Sequence, residues 1–429
     1  MLELLQGIFG TAPWVTQLSN VLGVVLIATF TLLVPIFLIW EERKVIARIQ
    51  DRIGPNRVGP YGLGQSFADI VKLLIKEQIT PAGADKVAYN TAPILIVVMA
   101  VVMWAVMPFG PNIIGADLNI GIFYILAVSS VSVVAVLLAG WGSNNKYALL
   151  GAFRAVAQLV SYEVPMVIAL IVPILLARSM STVDIIEAQT VPFFFVAPIS
   201  MIIFFISALA ETGRTPFDLL EAESEIIAGF HVEYSGMKFA MFQLGEFVGA
   251  YFMSCLLSVV YLGGWNIPII NLIIRLFGGQ PLDIASWGPA GSALGVAVFL
   301  FKSMVVYFMF IWIRGTLPRV RIDQILDFNW KFLVPISLVL ILVVAVLDKM
   351  IPASAGDVGR AVIHFFANVL IALGVVEVLR RRGRANRLAA EGEAMDESGH
   401  DDHAHGHHHD DHGHGHHDDH AHGEPVPAH

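Results

Sequence analysis

The sequence predicts an all-α polytopic membrane protein. Of its 429 residues, 56% are hydrophobic and only 14% are charged, which is typical of chains that cross a bilayer repeatedly. A transmembrane helix needs about 20 mostly apolar residues. Nine stretches reach or approach that length, and they are 21–40, 92–109, 121–139, 155–177, 191–210, 239–262, 293–313, 332–347 and 361–379. A tenth stretch, 267–277, is too short to cross, and we expect it to be a surface or re-entrant piece.

The distribution of Lys and Arg predicts the orientation of these spans. The odd-numbered connections and the C-terminal segment hold 21 of the 26 Lys and Arg residues, whereas the even-numbered connections hold 4. Cytoplasmic loops carry the excess of positive charge, so the N-terminus is expected outside the cytoplasm and the C-terminal tail inside it. No Lys or Arg precedes the first span and no cleavage site follows it, which favours a retained helix over a signal peptide.

Two regions of different composition make up the chain, a membrane domain at 1–379 and a tail at 380–429. From Glu391 onward there are 11 acidic residues, no Lys or Arg, and 13 of the 15 His. Such a segment cannot bury a core, so we expect it to be disordered and low in complexity. It is either a solvated appendage that is dispensable for function or a loose ligand for Zn or Ni. The single Cys255 cannot hold an iron–sulfur cluster alone, and no nucleotide-binding motif is present.

The first connection is expected to work at the membrane surface. It combines a turn-rich segment, 54–62, with a segment at 67–77 whose apolar residues recur at helical spacing. The second segment predicts a helix in the interface plane, and the turns fix the backbone beside it. This combination suits a portal where a lipid-soluble ligand leaves the bilayer, with a plain surface anchor as the alternative. A run of charged residues leads into the turns, and three more share the polar side of the second segment. They are Glu41, Glu42, Arg43, Lys44, Arg48, Asp51 and Arg52 before the turns, and Asp69, Lys72 and Lys76 after them.

The fifth connection, 211–238, is rich in carboxylates. Glu221 and Glu225 are like charges one helical turn apart, and such closely spaced carboxylates titrate as a coupled set. Their mutual repulsion favours holding a proton near neutral pH, which a proton-handling site requires. The alternative is an acidic loop that docks a basic partner. The carboxylates proposed for proton handling are Glu211, Glu221, Glu223, Glu225 and Glu233.

Three charged residues lie inside the fourth, sixth and seventh predicted spans: Glu163, Glu246 and Lys302. A charge at mid-bilayer costs about 2.5–3.5 kcal/mol on insertion scales, so each is a functional candidate. Counted from the cytoplasmic helix ends, these three residues lie at similar depths in the bilayer. They predict a row of charges that runs from the cytoplasmic surface to the bilayer midplane and no further. We therefore expect a lateral proton path that continues into a neighbouring membrane subunit. A static Glu163–Lys302 pair that fixes helix packing is the alternative.

Several motifs resemble the quinone-channel membrane subunit of proton-pumping NADH:quinone oxidoreductase (respiratory complex I), which in bacteria is called the H subunit. The resemblance extends over about 21–379, and the tail lies outside it. It implies a subunit of an oxidoreductase with no redox centre of its own, which joins the membrane arm to the peripheral arm. The motifs are ERK at 42–44, GPNRVGPYG at 54–62, SYEVP at 161–165, ETGRTPFDLLEAESE at 211–225, HVEY at 231–234 and PRVRIDQ at 318–324.

The resemblance also implies roles for individual residues. The substrate is a quinone, ubiquinone if the host respires aerobically, and it binds at Glu42, Arg43, Arg52, Asp69, Lys72, Tyr234, Arg319 and Arg321. The resemblance assigns the coupling of quinone reduction to proton translocation to seven carboxylates: Glu163, Glu211, Glu221, Glu223, Glu225, Glu233 and Glu246. Lys302 is added to this set because it is a charged residue inside the seventh predicted span. None of these residues is expected to be catalytic, and no metal, flavin or haem is expected on the chain.

The implied setting is the bacterial inner membrane, with a periplasmic N-terminus and a cytoplasmic tail. The expected partners are the other membrane-arm subunits, the iron–sulfur subunits of the peripheral arm and membrane lipid, with no nucleic acid. Two alternatives stay open. One is the related membrane subunit of a membrane-bound hydrogenase-type complex, and the other is a stand-alone cation/proton antiporter or metal exporter, which would be purified alone or as a homodimer.

Overall fold

Helices account for all the regular structure in the described part of the chain. The structure is a computed structural model, and it describes residues 13–218, 229–276, 282, 284–352 and 356–404. Within these ranges the only β interaction is an isolated bridge between Gly110 and Ile113. The predicted all-α fold is therefore confirmed.

Fourteen α-helices follow one another along the described residues. In chain order they are α1 Pro13–Ile49, α2 Gln65–Ile75, α3 Lys86–Val102, α4 Gly121–Gly142, α5 Lys146–Ala177, α6 Thr182–Glu187, α7 Phe193–Val196, α8 Pro198–Glu211, α9 Gly236–Leu262, α10 Pro268–Leu276, α11 Gly288–Thr316, α12 Ile322–Phe328, α13 Val334–Met350 and α14 Gly356–Ala404. Short 3₁₀ turns occupy Pro60–Gly62, Met103–Val106, Gly229–His231 and Ile284–Trp287, and a π-helical turn, Asn329–Leu333, joins α12 to α13.

Among the described residues, eight helical segments are long and apolar enough to cross a bilayer. They correspond to every predicted span except the fifth, 191–210. There the helix breaks at Ala197, whose φ of −134° and ψ of 63° are not helical. Pro192 and Pro198 flank the break and supply no backbone N–H. The remaining helix, α8, has 14 residues, or about 21 Å at 1.5 Å per residue, which is shorter than a bilayer core of about 30 Å.

Helix α9 lies at the centre of the helical packing. It contacts α1, α3, α8 and α11, and almost every side chain from Val248 to Tyr261 is buried. Trp104, after α3, packs against it, with ring centroids 5.8 Å from Tyr251 and 5.4 Å from Phe252. Polar residues in this stretch of α9, such as Ser254 and Ser258, are therefore held inside the protein.

Small residues let α4 and α5 approach closely. The two helices form a hairpin in which the side chain of Asn145 caps α5 by accepting a hydrogen bond of 2.9 Å from the N–H of Tyr147. A Cβ atom on Gly140 would lie 2.4 Å from Ala152 Cβ and 2.9 Å from the carbonyl oxygen of Ala148. Helix α5 carries Glu163, so this contact fixes the position of a candidate site residue.

The C-terminal end of the described chain is helical for longer than its hydropathy predicts. Helix α14 continues to Ala404, beyond the ninth predicted span at 361–379. By Cα packing the chain divides into units at 1–372 and 373–429, and in the second unit Glu377 pairs with Arg380 at 3.2 Å and Arg381 at 2.9 Å. Most of the histidine-rich segment, 405–429, lies outside the described residues, so its disorder stays a prediction.

Replacing Gly140 by alanine should destabilise the protein. The new Cβ meets Ala152 and a backbone carbonyl, neither of which can move away, and such overpacking costs about 1–3 kcal/mol. The matched control is Gly23→Ala, in α1, where nothing lies within 4 Å of the new Cβ. Thermal unfolding of the purified assembly should show a lower midpoint for Gly140→Ala only. Equal midpoints for the two variants would contradict the close α4–α5 contact.

Candidate functional site

A buried cluster of charged side chains lies where α1, α9 and α11 meet the turn after α8. The carboxylate of Glu42, 5% exposed, accepts hydrogen bonds from Arg214 on one oxygen and from Arg314 on the other. The hydroxyl of Tyr307 donates to Glu42 over 3.4 Å. On the other side of Arg214, its Nε lies 3.3 Å from an oxygen of Glu246. Two carboxylates and two guanidinium groups therefore balance their charge inside the protein.

Arg214 is the central member of this cluster. Its side chain is 3% exposed, and its guanidinium carbon lies 4.6 Å from the centre of the Phe247 ring. Burial opposes the charged form, but the carboxylates of Glu42 and Glu246 outweigh it and raise the pKa of Arg214 above its ordinary value. Arg214 therefore carries a permanent positive charge between two carboxylates.

The turn that carries Arg214 is held by Gln158 of α5. The side-chain amide of Gln158 donates to the carbonyl oxygen of Ala210 at 2.6 Å and to that of Phe217 at 2.7 Å. Gln158 is fully buried, so these bonds replace water for two backbone carbonyls. One side chain thus closes the segment 210–217 and fixes the direction in which Arg214 points.

A cavity of about 140 Å³ lies between α3, α4, α5 and α9. Its polar lining consists of Ser129, Ser132, Glu211, Thr212, His231, Gln243 and Glu246. One oxygen of Glu211 is buried and makes no hydrogen bond within the described residues. Because Glu246 also faces Arg214, the cavity and the ion-pair cluster share a carboxylate.

Two further predicted carboxylates lie near this cavity without forming its wall. Glu163 accepts a hydrogen bond of 2.6 Å from Ser130, and the neighbouring Ser129 and Ser132 of α4 line the cavity. Glu233 accepts one of 2.7 Å from Asn145, in the α4–α5 turn. The predicted residues Glu221, Glu223 and Glu225 lie outside the described residues.

Lys302 does not join the carboxylates as the sequence predicted. Its ammonium group donates to the carbonyl oxygens of Leu262, Gly264 and Asn266 at 2.7, 2.9 and 2.5 Å. These carbonyls lie at the C-terminal end of α9, about 24 Å along the helix from Glu246 at 1.5 Å per residue. Counting residues from the helix ends predicted the depth of the Lys302 backbone. The long side chain, however, extends to the C-terminal end of α9, away from the charged cluster.

Three charged residues of the first connection, Arg43, Asp69 and Lys72, form a separate surface group. Asp69 of α2 pairs with Arg43 of α1, accepts a hydrogen bond of 3.2 Å from Gln65, and lies 3.9 Å from Lys72. Partial burial acts to raise the pKa of Asp69, but the hydrogen bond and charge of Arg43 outweigh it and lower that pKa. The pair joins the amphipathic helix to the end of the first span.

Glycine is required where the turns of this connection meet. Gly62 has a φ of +79°, and a Cβ there would lie 2.3 Å from the carbonyl oxygen of Pro55. The indole N–H of Trp40 donates to the carbonyl oxygen of Tyr61 over 3.1 Å. The segment is thus folded tightly on itself and attached to α1, which confirms that its turn residues fix the backbone.

The other residues predicted to bind quinone do not lie together. Glu42 belongs to the buried cluster, and Arg52 is exposed beside Gln50. Tyr234 is buried against Tyr89, with stacked rings 4.2 Å apart, and burial raises the pKa of its phenol. Arg319 pairs with Asp218 at 2.9 Å, and Arg321 is exposed at the start of α12.

Sequence reasoning missed four contributors to the cluster: Gln158, Arg214, Tyr307 and Arg314. Arg214 stood inside a recognised motif without an assigned role. Arg314 could have been found from its position at the C-terminal end of the seventh predicted span, since Glu42 lies at the C-terminal end of the first. No local pattern marks Gln158 or Tyr307, because their partners are distant in the sequence.

Comparison with known proteins places the chain in a family. The NADH dehydrogenase family matches residues 22–345. The chain belongs to this family. Its relatives include the H subunit of NADH-quinone oxidoreductase from Dehalococcoides mccartyi (strain CBDB1), which is 43% identical over 83% of this chain and 93% of that protein. The corresponding H subunits from Rhodospirillum centenum and Brevibacillus brevis are each 45% identical, over 75% and 78% of this chain and 94% of their own lengths.

The part of the chain matched by the NADH dehydrogenase family contains the whole candidate site. Glu42, Arg214, Glu246 and Arg314 all fall within residues 22–345, as does the surface pair of Arg43 and Asp69. Helix α14 and the histidine-rich tail lie beyond the match. The site therefore belongs to the part of the molecule that the family shares.

Removing Arg214 should strongly destabilise the protein. In Arg214→Met, Glu246 loses its cation and Glu42 keeps only Arg314, and breaking a buried pair in this way costs about 3–5 kcal/mol. Arg381→Met is the matched control, because that arginine is 79% exposed in its pair and such pairs contribute about 0–1 kcal/mol. The readouts are the amount of assembled complex and its thermal midpoint. A stable, fully assembled Arg214→Met complex would contradict the central role of this residue.

Gln158→Leu tests the hydrogen bonds that hold the turn. Leucine fills a similar volume but leaves the carbonyls of Ala210 and Phe217 without donors, at about 1–3 kcal/mol for each buried group. We expect a lower thermal midpoint and faster proteolysis within the segment 210–217. The exposed Gln50→Leu serves as the control. Identical proteolysis of the two variants would show that Gln158 does not hold the turn.

Proposed function

We propose that this chain is the membrane component of a proton-translocating NADH:quinone oxidoreductase that corresponds to the H subunit of its relatives. In this proposal it lies in the bacterial inner membrane, with a periplasmic N-terminus and a cytoplasmic tail. It contributes to the quinone chamber and transmits quinone reduction to proton translocation. Support comes from the family match, from the names of relatives that the chain matches over 93–94% of their own length, and from the eight apolar helices among the described residues.

The quinone entrance is proposed at α2 and the turns before it. Four apolar side chains of α2 are more than half exposed, namely Phe67, Val71, Leu74 and Ile75. Such a face is suited to acyl chains at the membrane interface. The Arg43–Asp69 pair lies on the polar side of the same helix. A long-tailed quinone could keep its tail against the apolar side while its headgroup reaches polar residues.

The observation that carries the coupling proposal is the position of Arg214 between Glu42 and Glu246. Glu42 is the sequence neighbour of Arg43, which belongs to the proposed entrance, and Glu246 lines the internal cavity. Two unit charges 4 Å apart interact by about 4 kcal/mol at an effective dielectric constant of 20. A change of charge near Glu42 therefore changes the electrostatic energy of Arg214. Because Arg214 also pairs with Glu246, the balance of charge around Glu246 changes as well.

In the proposed coupling, Glu211, Glu246 and Glu163 release or take up protons in response to the reduction of quinone. Reduction of a quinone to quinol takes up two electrons and two protons, and the electrons come from partner subunits. When protons are withdrawn near the entrance, the balance of charge around Arg214 shifts. Carboxylates at the cavity then change their proton occupancy. The path leaves laterally toward a neighbouring membrane subunit, because Lys302 closes the outer end of α9 with three backbone bonds.

The names of the relatives bear on the alternatives left by the sequence. Each relative compared is named as an H subunit of NADH-quinone oxidoreductase, and none of those compared is named as a hydrogenase or an antiporter. The tightly folded segment around Gly62 also fits a quinone entrance better than a simple transport loop. Quinone reductase function is therefore proposed ahead of both alternatives.

A photoactivatable ubiquinone analogue tests the proposed entrance in the intact complex. We expect labelled peptides from the first connection and α2, competed by unlabelled ubiquinone. Asp69→Asn removes the partner of Arg43 and should raise the KM for quinone by about fivefold, the effect of losing about 1 kcal/mol of positioning. The control is Asp327→Asn, whose exposed pair with Lys331 lies on α12. Labelling confined to other segments would reject the entrance at α2.

Carboxylate-to-amide variants test the coupling route. Glu211→Gln and Glu163→Gln keep the side-chain volume but cannot exchange a proton. Each should lower quinone reductase activity and proton pumping by about tenfold or more, because proton-transferring groups contribute about 10²–10⁴. Glu377→Gln, on the exposed part of α14, is the matched control. Full activity with full pumping in an assembled Glu211→Gln complex would overturn the proposed route.

A further inference from the structure

A second charged cluster lies at the helix ends opposite the candidate site. Arg178 follows α5, Asp348 lies near the end of α13, and Arg360 and His364 lie one turn apart on α14. A guanidinium nitrogen of Arg178 lies 3.5 Å from Asp348 Oδ2, and His364 Nε2 lies 3.9 Å from Asp348 Oδ1. The cluster therefore joins the ends of three membrane-crossing helices.

The positive charge here is unusual for this side of the protein. The even-numbered connections hold only 4 Lys and Arg residues, and three of them, Arg178, Lys349 and Arg360, belong to this corner. Asp348 supplies the single carboxylate among the contacts described above. Of the other carboxylates in these two connections, Asp184 accepts a hydrogen bond of 2.7 Å from Ser179 at the start of α6.

The backbone at Arg178 supports a role for its side chain. Arg178 ends α5 in the left-handed conformation, with a φ of 57°, where glycine is the usual residue. Its side chain is 68% exposed, so packing does not explain an arginine at this strained position. Outliers of this kind are associated with functional sites.

Two polar side chains of the cluster contain buried nitrogens with no hydrogen bond in the described part of the chain. His364 is 2% exposed, and neither of its ring nitrogens makes a hydrogen bond. The Nε of Arg360 is likewise buried without an acceptor. Buried donors are normally satisfied, so an acceptor from outside the chain fits this place.

We propose that this cluster binds the phosphate group of an anionic phospholipid. Arg178 and Arg360 would hold the phosphate, since guanidinium groups bind phosphate oxygens in a two-pronged geometry. The ends of membrane-crossing helices lie at the level of lipid headgroups. Beside the cluster, Val346 and Val362 are 55% and 47% exposed, which gives acyl chains an apolar surface to follow. The site is independent of the proposed quinone function.

The test uses the whole complex in nanodiscs that contain photoactivatable phosphatidylglycerol in phosphatidylcholine. Labelling of the peptides around Arg178 and Arg360 is measured by mass spectrometry. Each arginine near a lipid surface contributes about 1 kcal/mol, so Arg178→Gln should lower labelling about fivefold and Arg178→Gln with Arg360→Gln still further. Arg381→Gln, on the cytoplasmic part of α14, should leave it unchanged. Unchanged labelling in the double variant would overturn the proposal.

Two further arms separate the alternatives. Adding 50 mM inorganic phosphate (about physiological ionic strength), against sodium chloride of equal ionic strength, should leave labelling intact, and full displacement would identify a free-phosphate site instead. If the double variant does not assemble, Arg178→Gln alone carries the test, because that side chain is exposed. Arg178→Lys keeps the positive charge but loses the two-pronged geometry of the guanidinium group, so it should give intermediate labelling. Labelling as weak as in Arg178→Gln would also support binding of the phosphate by the guanidinium group.

Discussion

The ion pair between Glu42 and Arg214 is the interaction on which the arrangement of the site depends. It joins residues 172 positions apart and lies almost entirely out of water. Charges in such a place are tolerated only when every one has close partners. Arg314, Tyr307 and Glu246 provide those partners, and each comes from a helix that must be in position first. Because the buried carboxylate of Glu42 needs these charged partners, it fixes the relative placement of α1, α9, α11 and the turn after α8.

The same requirement explains why the polar interior is continuous. Glu246 neutralises Arg214 and also faces the cavity that contains Glu211. Gln158 holds the turn from α5, the helix that also carries Glu163. The groups that stabilise the buried charge are thus the same groups that the proposed coupling uses.

The limits of sequence-based prediction follow from the range of the interactions. Apolar length alone locates eight spans, and it fails at 191–210 because Pro192 and Pro198 shorten the helix without lowering its hydropathy. Carboxylates such as Glu246 are recognisable because a charge in an apolar run is conspicuous. Their partners are not, because the Arg214–Glu42 pair and the bonds of Gln158 join positions far apart in the chain. Lys302 shows a further limit, since spacing gives the depth of a backbone atom but not the reach of a long side chain.

Lys302 also sets a boundary on which groups can exchange protons. An ammonium group has three hydrogens, and here all three are engaged by the carbonyls of Leu262, Gly264 and Asn266. Releasing any hydrogen to a carboxylate would expose a carbonyl at the end of the central helix to lipid or to an empty space. Lysine in this position acts as a fixed structural ion, comparable to a metal held by backbone oxygens. In the proposed route, protons therefore move only among the carboxylates near the other end of α9.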